Sequence, residues 1–554
     1  MRTLNYLPVI AIAALISSIY VHAQEPGWAD AWSVSGSARE WPTGIGTDAN
    51  RNLYLTSYSM NHEATAPGNA IRQFLTSWGP DRTQRWVRTI FYGAPTTQAK
   101  MAVDDRGNVY VAASFNGSSV RVDYGDGPGE MGAGDADNLI VLKYNSQGML
   151  VWHLMAIAED SLTVNGIAIS GGGVWIAGTY TGSAILGSTR INSAGASDVF
   201  VALLDTGTID GAHGFFRGVA GCGGTLADQC DGVAPAPGGD AMILGRFSGT
   251  MNFGQESLTA NGPVNFFLAR WRADGSVAWG LADGGAEFIP ATRFIKTPLI
   301  LTTDRNGNSL IGISYLQGLT IAGTDIPAID EADAVVLRYT AAGAPTWAYS
   351  MNGQILQLVQ GLAVDSRGDV YVSGFNQIQS GMAFLSKLDS TGNPVWEMRD
   401  APQRFGGADG GPVCIDAAGN VYMAGHFSGQ TRFGTHLLTC EGSTDTSTGW
   451  SDVYIARIGV NASGVSAEDG NHVPFRLMEQ GGDLIISSGP DSPGIVEAGI
   501  YSILGQRMAV LADEHPGNAA DAIRLDLRGL ARGTYLVHVR TLHGNTAVPV
   551  IIGR

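Results

Sequence analysis

Charge is scarce in this chain. Its 554 residues carry 33 Lys and Arg against 50 Asp and Glu, 15% in all, for a net −17. A phosphate backbone or an anionic membrane surface calls for clustered cations, so neither is the main partner, and the acidic balance serves as a solubility charge or a weak cation-attracting field. Long apolar runs are scarce too. Beyond the first two dozen residues no stretch reaches the ~20 apolar residues that cross a bilayer. The local signatures of common enzymes are missing. His62-Glu63 has no second His at HExxH spacing, and there is no GxSxG elbow, no GxxxxGK[ST] loop and no GxGxxG entering a helix. There are only four cysteines, with no CxxC and no Cys/His cluster, so nothing suggests zinc.

The chain opens Met1-Arg2-Thr3-Leu4, continues as an apolar run from Tyr6 to about Tyr20, and reaches Val21-His22-Ala23. A basic start, a short apolar core and a small residue before a cut are the order of a secretory signal peptide, with cleavage expected after Ala23 (residues 1–23). Export permits disulfides, and the cysteines fall into two local pairs, Cys222 with Cys230 and Cys414 with Cys440. Three pairings are open to four cysteines, and buried free thiols are the alternative.

Glycine, by contrast, is abundant at 76, and the apolar fraction of 44% is too high for a disordered chain. The glycines recur in a pattern. Asp416-Ala417-Ala418-Gly419-Asn420-Val421-Tyr422-Met423-Ala424-Gly425 returns as Asp104-Asp105-Arg106-Gly107-Asn108-Val109-Tyr110-Val111 and as Asp365-Ser366-Arg367-Gly368-Asp369-Val370-Tyr371-Val372. Each copy predicts a tight turn feeding a strand, because Asp accepts the turn's own amides, Gly tolerates positive φ, and the alternation that follows has period two. Aligned on the Asn position, copies fall at Asn52, Asn108, Gly173, Asp240, Asn308, Asp369 and Asn420, spaced by 51 to 68 residues. That period is longer than those of leucine-rich, ankyrin or tetratricopeptide arrays. The fourth copy, Gly238-Gly239-Asp240-Ala241-Met242, departs most from the pattern.

A short Gly-containing segment follows each opening strand, as at Phe253-Gly254 and Phe433-Gly434. An apolar strand comes next, as in Asp198-Val199-Phe200-Val201, and after a Gly turn a last strand carries Trp. About four strands per module predicts an all-β array of sheets packed radially, which hides the sheet edges without helices. The last copy ends at Ile458-Gly459 with no Trp strand, while the N-terminus supplies Trp28-Ala29-Asp30-Ala31-Trp32-Ser33-Val34 with no opening before it. Closing strands then number seven, at Trp32, Trp86, Trp152, Phe215, Trp279, Trp347 and Trp396. The N-terminal strand is therefore expected to complete the last sheet. Over residues 24–459 the pattern resembles the seven-bladed bacterial β-propeller repeat family, which implies a seven-bladed ring with N-terminal strand closure.

Residues 460–472, rich in Gly, Ser, Ala and acids, read as a linker. Beyond them, short strands at Leu484-Ile485-Ile486, Ile495 to Tyr501, Ile523 to Leu527, Thr534 to Val539 and Ala547 to Ile552 predict a small immunoglobulin-like β-sandwich over residues 473–554. Gly505 and Gly533 supply turns there, and Leu525, Leu527, Leu530 and Tyr535 a core. Tyr501-Ser502-Ile503-Leu504-Gly505-Gln506, then Leu525-Asp526-Leu527-Arg528-Gly529-Leu530-Ala531-Arg532-Gly533-Thr534-Tyr535, and the terminal strand resemble the type A C-terminal sorting domain of the type IX secretion system. The resemblance implies an export address read by outer-membrane machinery, and a secreted or cell-surface protein.

No cofactor is expected. The opening carboxylates Asp48, Asp105, Asp304, Asp365 and Asp416 are each expected to serve their own turn, since an active site does not recur in every repeat. Asp123, Asp126, Asp135 and Asp137 sit in a Gly-rich loop and could supply oxygens to Ca²⁺, although the spacing matches no EF-hand. The repeated tryptophans are expected to pack sheets together. Function is read as a binding or scaffold module for an extracellular glycan or protein. The alternatives are a polysaccharide- or polymer-degrading hydrolase or lyase at the propeller mouth, and a purely structural envelope protein.

Overall fold

The structure, a computed structural model, describes residues 27–459 apart from 35–38, 61–70, 93–97, 118, 133–136, 210–211, 255, 286–298, 317, 329–331, 352–355, 377–381, 403–405 and 441–450, together with seven strands between 475 and 552. The expected signal segment 1–23, the linker 460–472, His62 and Glu63 lie outside the described residues. Contacts divide the chain into a unit spanning Glu25–Ala462 and a second built on Ser463–Arg554. Both are β-structure; among the described residues the only helix is one 3-10 turn at Pro237–Gly239.

In the larger unit the described residues form seven four-stranded antiparallel sheets. Sheet 1 comprises Arg39–Thr47, Leu53–Met60, Ile71–Trp78 and Gln84–Tyr92, and sheet 2 Lys100–Val103, Val109–Asn116, Asp137–Tyr144 and Leu150–Ala158. Sheet 3 is Ser161–Ser170, Gly173–Thr181, Asp198–Ile209 and Ala212–Cys222; sheet 4 is Asp228–Pro235, Ala241–Phe247, Asn265–Trp271 and Val277–Asp283. Sheet 5 is Ile300–Thr303, Ser309–Tyr315, Asp333–Tyr339 and Pro345–Met351; sheet 6 is Gln357–Val364, Val370–Asn376, Met382–Leu388 and Pro394–Arg399. In sheet 7 the first strand is split into Gly407–Asp409 and Val413–Ile415, followed by Val421–Ser428 and Asp452–Ile458. Its fourth strand is Trp28–Val34, which pairs with Asp452–Ile458 so that Trp32 lies opposite Ile455 and Ser33 opposite Tyr454.

The middle strands of each sheet are buried on both faces, and period-two alternation sends successive side chains into different cores. In Asp137–Tyr144, Ile140 and Leu142 pack with Tyr54 and Leu75 of sheet 1. Leu139 and Val141 pack with Val174 and Phe200 of sheet 3. The same arrangement continues between sheets 3 and 4, 4 and 5, 5 and 6, and 6 and 7. A further core joins Tyr422 and Ile455 of sheet 7 to Leu53, Leu55 and Trp78 of sheet 1. Burying one such aromatic or aliphatic side chain is worth roughly 1.5–3 kcal/mol, so these cores hold neighbouring sheets face to face.

Two features of the module were not named from the sequence. The first strands of sheets 1, 3, 4 and 6 each shift register at a polar residue followed by glycine: Thr43-Gly44, Asn165-Gly166, Asp231-Gly232 and Gln360-Gly361. A bulge of this kind re-aims the extra side chain. Asp231 is thereby placed to accept both Nε and Nη2 of Arg246, at 2.8 and 2.6 Å.

The second feature is the Gly-containing segment after the second strand, which is a hairpin that reaches back to the preceding sheet. Ser119–Asp123 with Pro128–Gly132 joins sheet 1 where Arg121 pairs with Tyr92. Ser183–Leu186 with Thr189–Asn192 joins the last strand of sheet 2. Thr250–Phe253 with Glu256–Thr259 meets the end of sheet 3 through mutual backbone bonds between Asn252 and Gly223. Gln430–Phe433 with His436–Thr439 pairs with Ala401–Pro402, just beyond sheet 6.

The second unit holds two antiparallel sheets. One runs Phe475–Gln480, Asp483–Ser488, Ala522–Asp526; the other runs Arg507–Val510, Ile495–Ser502, Gly533–Thr541, Gly544–Ile552. Leu484, Ile486, Ala498, Ile500 and Val537 are buried in it.

Candidate functional site

The repeated carboxylates have a local role. Oδ1 of Asp48 accepts the amides of Asn50 and Asn52 at 2.9 and 2.8 Å, while Oδ2 accepts the Asn52 side-chain amide at 2.7 Å. Asp304 and Asp416 make the same three bonds to their own turns. Asp365 makes the two backbone bonds, and Asp369, standing where the others have Asn, pairs with Lys387 at 2.8 Å. In the second copy the structure corrects the sequence reading: Asp104, not Asp105, closes the turn, accepting Arg106, Asn108 and the Asn108 side chain. Burial opposes ionisation of Asp304, but its bonds to Asn308, Arg338 and Asn306 outweigh this and hold the carboxyl below its usual range.

The closing tryptophans mark the seams. Trp86 of sheet 1 donates its indole N–H to the carbonyl of Ser146, in the closing turn of sheet 2, at 3.0 Å. Trp347 of sheet 5 does the same to Ser390 of sheet 6 at 3.3 Å. Each ring lies under the glycine of that turn. A Cβ on Gly148 would come 2.7 Å from Trp86, and one on Gly392 2.6 Å from Trp347, so only glycine admits the ring. These tryptophans seal neighbouring sheets.

The expected disulfides are not formed. Cys414 packs in the core between sheets 7 and 1, whereas Cys440 packs in the core between sheets 6 and 7, so they sit on opposite sides of sheet 7. Cys222 and Cys230 share the core between sheets 3 and 4, but each sulfur faces a backbone carbonyl, Val199 at 3.6 Å and Leu244 at 3.7 Å. Burial pushes all four thiols up.

Of the Gly-rich loop acids, Asp123 caps its own turn by accepting the Gly125 amide at 2.7 Å, Asp126 is exposed, Asp137 opens the third strand of sheet 2, and Asp135 lies outside the described residues. Among the described residues no group of three or more His, Cys, Asp or Glu is placed to hold a metal. Of the sorting-motif residues, Leu525 pairs across from Leu484, Gly533 from Ile552 and Tyr535 from Val550. Gly505, Leu527, Gly529 and Leu530 lie outside the described residues.

Two places escaped the sequence reading. The first is a cavity of ≈ 80 Å³ at the seam of sheets 5 and 6, lined by Tyr349, Met351, Gln357, Asn376, Phe384, Glu397 and Arg399. Gln357 and Asn376 are direct partners on the first and second strands of sheet 6, so their side chains stand side by side. Both residues are buried, at 6% and 2% exposure, and the Oε1 of Gln357 and Oδ1 of Asn376 have no hydrogen-bond partner. Leaving a buried carbonyl unmet costs about 1–3 kcal/mol, so a donor belongs there. Beside them Glu397 accepts Nε and Nη2 of Arg399 at 2.7 and 2.6 Å on one oxygen and Ser386 at 2.9 Å on the other.

The second lies where sheet 7 meets sheet 1. His426 Nε2 is 3.5 Å from Asp409 Oδ2, its ring is 5.8 Å from Trp41, and Trp41 stacks on Tyr58 at 4.8 Å. Burial lowers the His426 pKa against the pull of Asp409, and raises that of Asp409 against the pull of His426. On the other face of sheet 7, toward sheet 6, Asp400 is pushed up to about 7 by burial and further by Asp409, and is anchored by Thr431 at 2.5 Å and the Ala383 amide at 2.9 Å. Asp400, Asp409 and His426 are 9 and 17 residues apart, and Trp41 and Tyr58 lie more than 300 residues before them, which leaves no contiguous motif to find.

No family profile matches the chain. It is similar to an uncharacterized WD repeat-containing protein of Acanthamoeba polyphaga mimivirus, 21% identical over 431 residues that cover 70% of this chain. The aligned part is 28% of that relative, so the chain spans under a third of its length. Among solved structures it is similar to the WD40 domain of Neurospora crassa Pan2, with 11% identity, TM-score 0.35, and coverage of 77% of this chain and 99% of that one. An ulvan lyase of a polysaccharide lyase family matches with 10% identity and TM-score 0.39 over 71% of this chain and 93% of that one. The NanB sialidase of Streptococcus pneumoniae matches with 8% identity and TM-score 0.36 over 77% and 70%. Structural scores this low transfer no activity. With the WD-repeat relative and the order of the sheets together, the chain has an all-β, WD-repeat-like propeller fold.

Proposed function

We propose that this chain is an exported binding module: a seven-bladed propeller, its last blade completed by Trp28–Val34, carried to the cell surface by a type IX sorting domain over residues 473–554. The succession of cores that returns from sheet 7 to sheet 1 supports the ring. The N-terminal segment and the C-terminal motif support the delivery. The observation that carries the binding reading is the seam of sheets 5 and 6, where two buried carbonyls face open space with nothing to accept from. Truncation before Val473 should leave the propeller inside the cell envelope; finding it on the cell surface would overturn the delivery. A panel of glycans, polymers and surface proteins, scored for both binding and turnover, tests the module itself.

A second reading has its own observation. His426 and Asp409 place one imidazole 3.5 Å from a carboxyl at the seam of sheets 7 and 1, the pair of groups with which a hydrolase or lyase could move a proton. Turnover of any polysaccharide, lost in both His426→Ala and Asp409→Asn, would establish it in place of simple binding.

A further inference from the structure

We infer that the cavity between sheets 5 and 6 binds one hydroxylated edge of a neutral saccharide. This rests on the binding-module reading and names the ligand class for that site. Four observations carry it. The groups left unmet are two side-chain amide carbonyls held side by side by cross-strand pairing, on Gln357 and Asn376, each residue more than nine-tenths buried and lining open space. Each carbonyl needs a donor, and a pair of neighbouring sugar hydroxyls supplies two O–H donors at that spacing. The remaining wall is apolar: Phe384 and Met351, 1% and 6% exposed, offer a surface for C–H groups next to the polar one, the mixture that a sugar ring presents. The volume of ≈ 80 Å³ suits the edge of one unit, leaving the rest of the chain in solvent.

Charge selects among saccharides. The cation at the site, Arg399, is already engaged twice by Glu397, and the Glu397 carboxylate is closed by Arg399 and Ser386. The pair is neutral as a whole, and a uronate or sulfate entering here would have to displace Glu397 from Arg399. With a chain charge of −17 against it as well, an acidic polymer is the poorer ligand.

The test is calorimetric titration of the purified full chain with neutral oligosaccharides (hexose and pentose oligomers) and with matched uronate oligomers, repeated for Gln357→Leu, Asn376→Leu and Glu397→Gln. Replacing an unmet buried amide by an apolar group of similar shape is neutral or stabilising for the fold, so the first two variants should melt at or above the parent temperature. Affinity for a neutral oligosaccharide should fall at least tenfold in each of them, and Glu397→Gln, which frees Arg399, should shift preference toward the uronate. Saccharide binding unchanged in Gln357→Leu and Asn376→Leu would place the ligand elsewhere and overturn this inference while leaving the binding module standing. Tighter binding of uronates by the parent would overturn the choice of a neutral ligand. Binding only of non-saccharide members of the wider panel would overturn the site's assignment, and binding of nothing at all would remove the module reading with it.

Discussion

Sheets 1 and 2 are copies of one module that differ at the two places where the backbone turns left-handed. Sheet 2 has glycine at both, Gly107 at φ +78° and Gly148 at +74°; sheet 1 has arginine, Arg51 at +63° and Arg82 at +67°. The turns are otherwise alike, since Asp48 and Asp104 make the same three bonds. The carboxylate therefore shapes the opening turn, and glycine only removes the roughly 1–2 kcal/mol that a left-handed side chain costs. At the closing turn the difference has a purpose. Gly148 must stay small because Trp86 lies beneath it, whereas Arg82 extends to Asp30 at 2.7 Å and so ties sheet 1 to the strand supplied by the N-terminus.

Breaking sheet 2's seam should have the largest effect. Trp86→Ala removes a buried ring and the Ser146 bond, with an expected loss of about 3–5 kcal/mol, seen as a lower denaturant midpoint. Gly148→Ala adds left-handed strain to a collision with the same ring, for a loss of about 2 kcal/mol or more; a smaller loss than in Arg82→Ala would mean that the ring, not the turn, yields. Next, Asp104→Ala should cost about 2 kcal/mol by leaving its turn amides unmet, while Asp105→Ala stays within about 0.5 kcal/mol. Equal losses in the two variants would contradict the assignment of the turn carboxylate.

The smallest effect sharpens the contrast within sheet 1. Arg51→Gly should stabilise by about 0.5–1 kcal/mol, because strain is relieved and no partner is lost in the turn. Arg82→Gly gains the same relief but gives up Asp30, so its melting temperature should stay near the parent's. A gain in both would show the Arg82–Asp30 pair to be worth nothing, as ion pairs with one arm in solvent often are.

These two sheets also show what a sequence discloses. The turns were legible because every interaction that builds them lies within five residues. The same locality resolves Asp104 from Asp105, since the working carboxylate stands four residues before the Asn, as in Asp48 with Asn52 and Asp304 with Asn308. Trp86 was legible as a packing residue from its fixed place in the module. Its partner was not, because Ser146 is 60 residues away in the next copy. The cysteines were misread for a related reason. Proximity in sequence suggested a bond between Cys414 and Cys440, but which core a strand residue enters depends on the parity of its position and on the sheet beyond. The cavity was invisible altogether, since Gln357 and Asn376 are ordinary polar residues until pairing sets them side by side and the seam leaves them uncovered.

The backward-reaching hairpins impose an order in time. As the chain leaves the ribosome, a sheet emerges with its outer strand bare, and the ribbon that covers that edge is not synthesised until half of the following repeat has appeared. A nascent chain that ends with sheet 1 or sheet 2 thus carries an unfinished rim at its growing end, and stalled or clipped there it leaves that sheet with a free edge open to pairing with another molecule.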